Sequence, residues 1–324
     1  MSHRSLQLIV LCIGTLLMAV KFAAWWLTNS NAILSDASES IINIAAGVFA
    51  FYSLGLAAKP RDSNHPYGHG KIEFLSAGFE GGLIFLAGIG IVIKAGYNLL
   101  YPQSIQHLDL GLYLTVFSGI INYGMGHVLE RRGRSFSSLT LIASGKHLKS
   151  DAWSSVGLVI GLVIVALTQL PVLDSVVAAI FGLVILYTGF SLMRKSVAGI
   201  MDEADYQLIA QMVQVLDQNR HPNWIDVHNF RVIKYGATLH IDCHITVPWY
   251  FSTRDSHGEV KAFENLVVEK NDLPVELFVH VDPCEPEGSC RICSKTDCAV
   301  RAAPFSHHIP WKLDNIMADK KHSP

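Results

Sequence analysis

Six predominantly apolar runs, each about 20 residues or longer, constrain this chain more than any other feature. They lie near 6–28, 32–57, 73–99, 109–130, 138–168 and 172–194. A run of that length can cross a bilayer as a helix, which satisfies its backbone polar groups internally. Composition agrees: 50% of the 324 residues are hydrophobic and 16% charged, with mean hydropathy +0.33, too apolar for a soluble enzyme of this size. A net charge of −2 gives no basic signature for nucleic acid. No small-residue cleavage site follows the first run, so it reads as a span rather than a secretory leader.

Lys and Arg set the orientation. One set of ends carries Arg4, then Lys59, Arg61 and Lys71, then Arg131, Arg132 and Arg134, then Arg194 and Lys195. The opposite loops, around Ser30, 101–109 and 169–173, carry none. Both termini are therefore expected in the cytoplasm, a parity that six spans satisfy.

Beyond Lys195 the chain turns mixed and polar. Leu208, Ile209, Met212, Val213 and Leu216 recur at helical spacing. Two strand-like runs follow, DVHNFRVIKYG and ATLHIDCHITV, with Gly236 between them. Then come a helical stretch from about Ser256 to Lys270 and the strand-like VELFVHVDPC. The order αββαβ predicts a small two-layer α+β domain of ferredoxin-like type. The reading is a membrane α-helical chain: six transmembrane helices over 1–200, a cytoplasmic domain over 201–284, and a Cys- and His-containing tail over 285–324 with little regular pattern.

Ionisable groups inside a span are costly and face the protein interior. In the second span, SDASESIIN places Glu39 and Asn43 four apart on one helical face. In the fifth, GKHLKSDAW does the same with His147 and Asp151. Either pair alone reads best as interhelical hydrogen bonding. Two matched pairs can supply four N and O ligands to one divalent cation, with Glu39 and Asp151 balancing its charge. Asp36 sits one turn before Glu39, as a supporting partner or a structural helix-start residue. Lys149 falls between the His147–Asp151 pair on another face. Glu80 lies well inside the third span, as a proton carrier or a protonated, hydrogen-bonded group. Lys21 and Lys94 are long enough to snorkel.

The loop KPRDSNHPYGHGKIE gathers Asp62, His65 and His69 within eight residues, with Pro66 and Gly68 forcing turns. Such a loop can wrap one ion, or carry ordinary exposed histidines. H-P-Y-G-H-G-K-x-E after the second span, H-x-x-x-D in the fifth and the V-H-V-D-P-C strand end closely resemble the cation diffusion facilitator family, over about residues 5–284. The resemblance implies a homodimeric metal exporter of a bacterial inner membrane, with divalent metal as substrate and regulator and no organic cofactor. It implies a transport site at Glu39, Asn43, His147 and Asp151, and a loop site at Asp62, His65 and His69. It also implies a cytoplasmic, often binuclear site at His228, His244, His257, His280 and Asp282. His240 shares the face of His244 if the strand alternates through Asp242.

Where family members more often carry His or Asp at the position of Glu39 and Asp at that of Asn43, this chain has a longer carboxylate and an amide. One imidazole still leans towards zinc or another first-row metal over magnesium, leaving cobalt, iron(II) and manganese open. The tail adds Cys284, Cys290, Cys293 and Cys298 around a C-x-x-C, a thiolate zinc site or a set of free thiols. The expected activity is metal efflux in exchange for protons, with lipid, metal ions and protons as partners. A metal sensor without transport is the alternative. A membrane metalloenzyme ranks lower, because no H-E-x-x-H or histidine box is present.

Overall fold

A computed structural model describes residues 3–28, 31–101, 110–168, 172–271 and 273–322. The chain divides into two compact units, Met1–Met201 and Asp202–Pro324.

The first unit is six long helices: α1 (His3–Thr28), α2 (Asn31–Ala57), α3 (Ile72–Leu100), α4 (Leu110–Ser135), α5 (Leu139–Thr168) and α6 (Val172–Ile200). They follow the apolar runs, but α4 and α6 continue five or six residues past them. The extra turns carry Arg131, Arg132, Arg134 and Lys195, with Arg194 just before the last of these. Cations there suit both the bilayer surface and, at the end of α4, the negative end of the helix dipole. Among the described residues, α1, α2, α3 and α6 contain stretches long and apolar enough to cross a membrane on composition alone.

α4 and α5 carry more polar residues and meet their needs against each other. Glu130 on α4 accepts from Lys149 on α5 at 2.7 Å and from Arg134 at 2.6 Å. The two backbones come close at glycines: a Cβ on Gly126 would lie 2.6 Å from the Gly145 carbonyl. α3 and α6 meet in the same way, with a Cβ on Gly189 falling 2.5 Å from the Phe85 nitrogen. Small residues at such crossings replace the hydrophobic drive that lipid does not supply.

The second unit runs α7 (Tyr206–Gln218), β1 (Asp226–Tyr235), β2 (Thr238–Val247), α8 (Thr253–Glu269) and β3 (Val275–Pro283). The αββαβ order read from the sequence is present. β1 and β2 form an antiparallel hairpin turned at Gly236, whose φ of +65° suits glycine. β2 and β3 are parallel, joined through α8, and β2 is central. Asp205 caps α7 by accepting from the Leu208 N–H at 3.2 Å. Ser252 and Asp255 form a capping box on α8. Ile209, Met212 and Leu216 of α7 and Phe263 and Val267 of α8 pack on Leu239, Ile241, Cys243, Ile245 and Val247 of β2.

The residues after β3 are more ordered than their composition suggested. They form the short helices α9 (Gly288–Ile292) and α10 (Leu313–Ile316). Trp311 and Ile316 enter the same core as the strands. The Ala318 carbonyl accepts the N–H of Asn229 at 2.8 Å, at a bulge in β1 between His228 and Arg231.

Candidate metal sites

In the membrane unit, α2 and α5 bring Asn43, His147 and Asp151 into contact. Asn43 Nδ2 donates to Asp151 Oδ2 at 2.7 Å, and Asn43 Oδ1 lies 2.9 Å from His147 Nε2. His147 Nε2 and Asp151 Oδ2 are 4.0 Å apart. The i,i+4 pair of α5 thus meets Asn43 of α2 at one point. Asp36 and Glu39 lie on α2, but their side chains fall outside the described residues.

A cavity of about 60 Å³ opens beside this cluster, lined by Asn43, His147, Gln7, Lys21, Ser40, Glu80, Asn122 and Ser144 among others. That is room for a few waters or a partly hydrated ion. Glu80 faces inward and accepts from Ser144 Oγ at 2.6 Å, and Gln7 Nε2 reaches Ser144 at 3.4 Å. Lys21 departs from the snorkelling expectation. It is 8% exposed and donates to Ser40 Oγ at 3.2 Å inside the bundle. Gln7 and Lys21 belong to an otherwise apolar first span, and no local pattern marked them as cavity residues.

The α2–α3 loop is tightly pinned. Asp62 Oδ1 accepts from the N–H groups of Asn64 at 3.0 Å and His65 at 2.7 Å. His65 Nδ1 lies 3.0 Å from Asp62 Oδ1, and His69 Nε2 lies 3.4 Å from Oδ2. Loss of water works to raise the Asp62 carboxyl, but the bonds from His65 and Asn64 outweigh it and hold it below the usual range. Gly68, with φ of +90°, makes the turn that folds His69 back. Among the described residues, two groups of three side chains bring candidate ligand atoms within 4.8 Å of one another: this one, and His228, His244 and Asp282.

The second group is set by strand register. His228, His244 and His280 are direct neighbours across β1, β2 and β3. The next row on the same face is Asp226, Thr246 and Asp282. Asp282 Oδ2 is 3.5 Å from both His228 Nε2 and His244 Nδ1, and Oδ1 is 3.5 Å from His280 Nε2. One carboxylate is therefore shared by three imidazoles, a donor set suited to first-row metals. His257 is exposed on α8 and stands outside the cluster. β2 alternates without interruption, so His240 does share the His244 face. It sits four residues away and faces Glu276 at 3.0 Å.

Two residues escaped the sequence reading. Asp226 Oδ2 lies 3.1 Å from His228 Nδ1, behind the nitrogen that faces Asp282. His322, near the end of the tail, meets the same carboxylate through its ring Nδ1 and, at 3.1 Å, its backbone N–H. Burial works against ionising Asp226, but the bonds from His228 and His322 prevail and hold it at about 2. A carboxylate behind a histidine fixes its tautomer and orientation. Asp226, two residues before His228 on one strand face, was findable from alternation. His322 was not, lying 96 residues away.

The four tail cysteines line one small cavity with Trp249, Tyr250, Lys295 and Arg301, without meeting as tightly as the two groups above. Burial opposes ionisation of Cys290, but N–H groups of Ala302, Ala303 and Glu287 and the charge of Arg301 outweigh it and hold the thiol below its usual range.

Sequence comparison places the chain in a family. The description "Cation efflux transmembrane domain" matches residues 7–201, and "Cation efflux protein, cytoplasmic domain" matches 204–284. The chain belongs to the cation diffusion facilitator family of cation efflux proteins. It is similar to the uncharacterized transporter sll1263 of Synechocystis sp., 32% identical over 85% of this chain and 89% of that protein. It is also similar to the manganese efflux system protein MneP of Bacillus subtilis, 24% identical over 86% and 96%. The cation-efflux pump FieF of Shewanella oneidensis is 23% identical over 84% and 90%. This cation diffusion facilitator is accordingly an integral membrane transporter of divalent cations, with its αββαβ unit as the cytoplasmic domain, and not an enzyme. Residues 285–324 lie beyond both matches.

Proposed function

We propose that the chain exports a first-row divalent metal, zinc in first place, in exchange for protons, as a homodimer in a bacterial inner membrane with both termini cytoplasmic. One observation carries the reading: Asn43 on α2 bridges His147 and Asp151 on α5, beside a polar cavity within the helix bundle. Glu39, one turn before Asn43, is the fourth ligand in this reading. An imidazole, an amide and two carboxylates hold a 2+ ion at formal neutrality. His147 and Asp151 must be deprotonated to bind metal, so protons arriving from the far side compete the ion off. Free imidazole titrates near pH 6.5, within the range a cell's proton gradient spans.

Manganese is the second reading. The set is richer in oxygen than nitrogen, and a relative carries the name manganese efflux system protein. The row of histidines in the cytoplasmic domain serves regulation: metal bound at Asp282 and its three imidazoles biases the transport equilibrium by its preference for one state.

The test is metal flux into proteoliposomes under an imposed pH gradient, offering zinc, manganese, iron(II) and cobalt in turn. Zinc flux should follow the gradient and vanish in Asp151→Ala. Unchanged flux in that variant would remove the transport site assignment. Binding without flux under any gradient would make the chain a sensor, and flux indifferent to the gradient would remove proton exchange alone.

A further inference from the structure

Cys284 directly follows β3, Cys290 lies in α9, and Cys293 and Cys298 follow that helix. The segment between the first and last packs through a small cluster, Ile292 and Cys293 on Ile225 with Cys284 and Ile309 against them. It is folded tightly. The Cys284 N–H donates to the Val247 carbonyl at 2.8 Å, fixing the first cysteine to the sheet. Arg301 clasps the rest, donating to the carbonyls of Cys290 at 2.8 Å, Cys293 at 3.0 Å and Lys295 at 2.5 Å.

All four thiols line one cavity of about 20 Å³, the scale of a single water or ion. Two sulfurs already accept backbone N–H groups: Cys284 Sγ from Trp249 at 3.4 Å and Cys290 Sγ from Ala302 at 3.5 Å. Arg301 and Lys295 line the same cavity, Lys295 while also paired with Asp297 at 2.8 Å. Four neutral thiols in an apolar wall need neither the cations nor the amides. Four thiolates around a 2+ ion carry −2, and need both.

We propose that Cys284, Cys290, Cys293 and Cys298 form a tetrathiolate zinc site that fastens the tail to the cytoplasmic domain. Binding releases the four thiol protons to solvent and forms four Zn–S bonds at about 2.3 Å. No three of the sulfurs lie within 4.8 Å of one another in the structure, so the side chains draw inward as the ion binds. The site is closed by four protein ligands, which is the structural rather than the transport or catalytic pattern. A reducing cytoplasm keeps the cysteines as free thiols rather than disulfides. The tail is thereby started on the path that returns His322 to Asp226, behind the metal-facing His228.

The test uses the full-length protein in detergent and measures no flux, so it stands apart from the transport reading. Zinc per chain is counted by elemental analysis after washing with a weak chelator. Wild type should retain about one zinc more than Cys290→Ser/Cys293→Ser, as one tetrahedral site requires. Cobalt(II) loaded in its place should give a thiolate-to-metal charge-transfer band that the double variant loses and His244→Ala keeps. If the double variant does not fold, wild type answers alone: zinc should protect the four tail thiols together from alkylation, read by mass spectrometry. Equal zinc in both proteins with no charge-transfer band, alkylation indifferent to zinc, or iron with inorganic sulfide in the purified protein would each overturn the proposal.

Discussion

Asn43 does in this chain what a carboxylate cannot. Its Nδ2 donates to Asp151 at 2.7 Å while its Oδ1 faces His147, so the cluster holds together through an amide dipole. A carboxylate in the same place would set two negative oxygens side by side, which is stable only with a cation or a shared proton between them. Asn43→Asp should therefore bind metal more tightly and release it more slowly. In concentration-dependent flux measurements the KM for zinc should fall about tenfold, the equivalent of about 1.4 kcal/mol, with a lower maximal rate. Unchanged KM and rate for both zinc and manganese would mean that Asn43 does not touch the ion. At this scale the sequence was most informative where ligands share a helix. Helical spacing marked Asn43, His147 and Asp151, whereas His228, His244 and Asp282 were marked by the family resemblance and not by spacing. It was silent where a partner comes from far along the chain, as with Lys21 in the cavity and His322 behind Asp226.

Helix positions follow from apolar length, but helix pairing does not. The six runs gave α1 to α6 to within a few residues at most ends. Which helices touch depends on where small residues let backbones approach, and that is a property of two faces together. Gly189 on α6 meets the Phe85 nitrogen and the Gly81 carbonyl of α3, at 2.5 and 2.8 Å from where a Cβ would stand. Both are backbone atoms and cannot rotate aside. Gly90, also on α3, has nothing within 4 Å of its Cβ position. Gly189→Ala should force the two helices apart at a cost of about 1–3 kcal/mol, the range of overpacking in a close-packed interior. Gly90→Ala should be neutral or slightly stabilising, since alanine is the better helix former. Thermal unfolding of the detergent-solubilised protein, followed by loss of the monodisperse peak, separates the two. Equal loss in both variants would show that propensity rather than the α3–α6 crossing governs stability here.

Across the whole chain, the family matches end at Cys284, yet the fold of the second unit does not. Composition made 285–324 look irregular because its few apolar residues have no period. Many of their partners lie far back along the chain, in α7, β1 and Ile225 before it. Trp311 is 3% exposed, its ring lies 4.2 Å from the Arg220 guanidinium, and its backbone N–H donates to Asp217 at 2.9 Å. Ile316 is fully buried in the same core. The tail thus closes a side of the domain that the αββαβ elements leave open, and the register that aligns the histidines depends on β1 keeping its place. Trp311→Ala should cost about 3–5 kcal/mol, as for other large aromatic truncations in cores. Amides of α7 and β1 in the full-length protein should then exchange with solvent faster, while those of α3 and α6 keep their rates. If β1 were as protected in the variant as in wild type, the tail would be an appendage, and the His228–His244–His280 row would stand on the αββαβ unit alone.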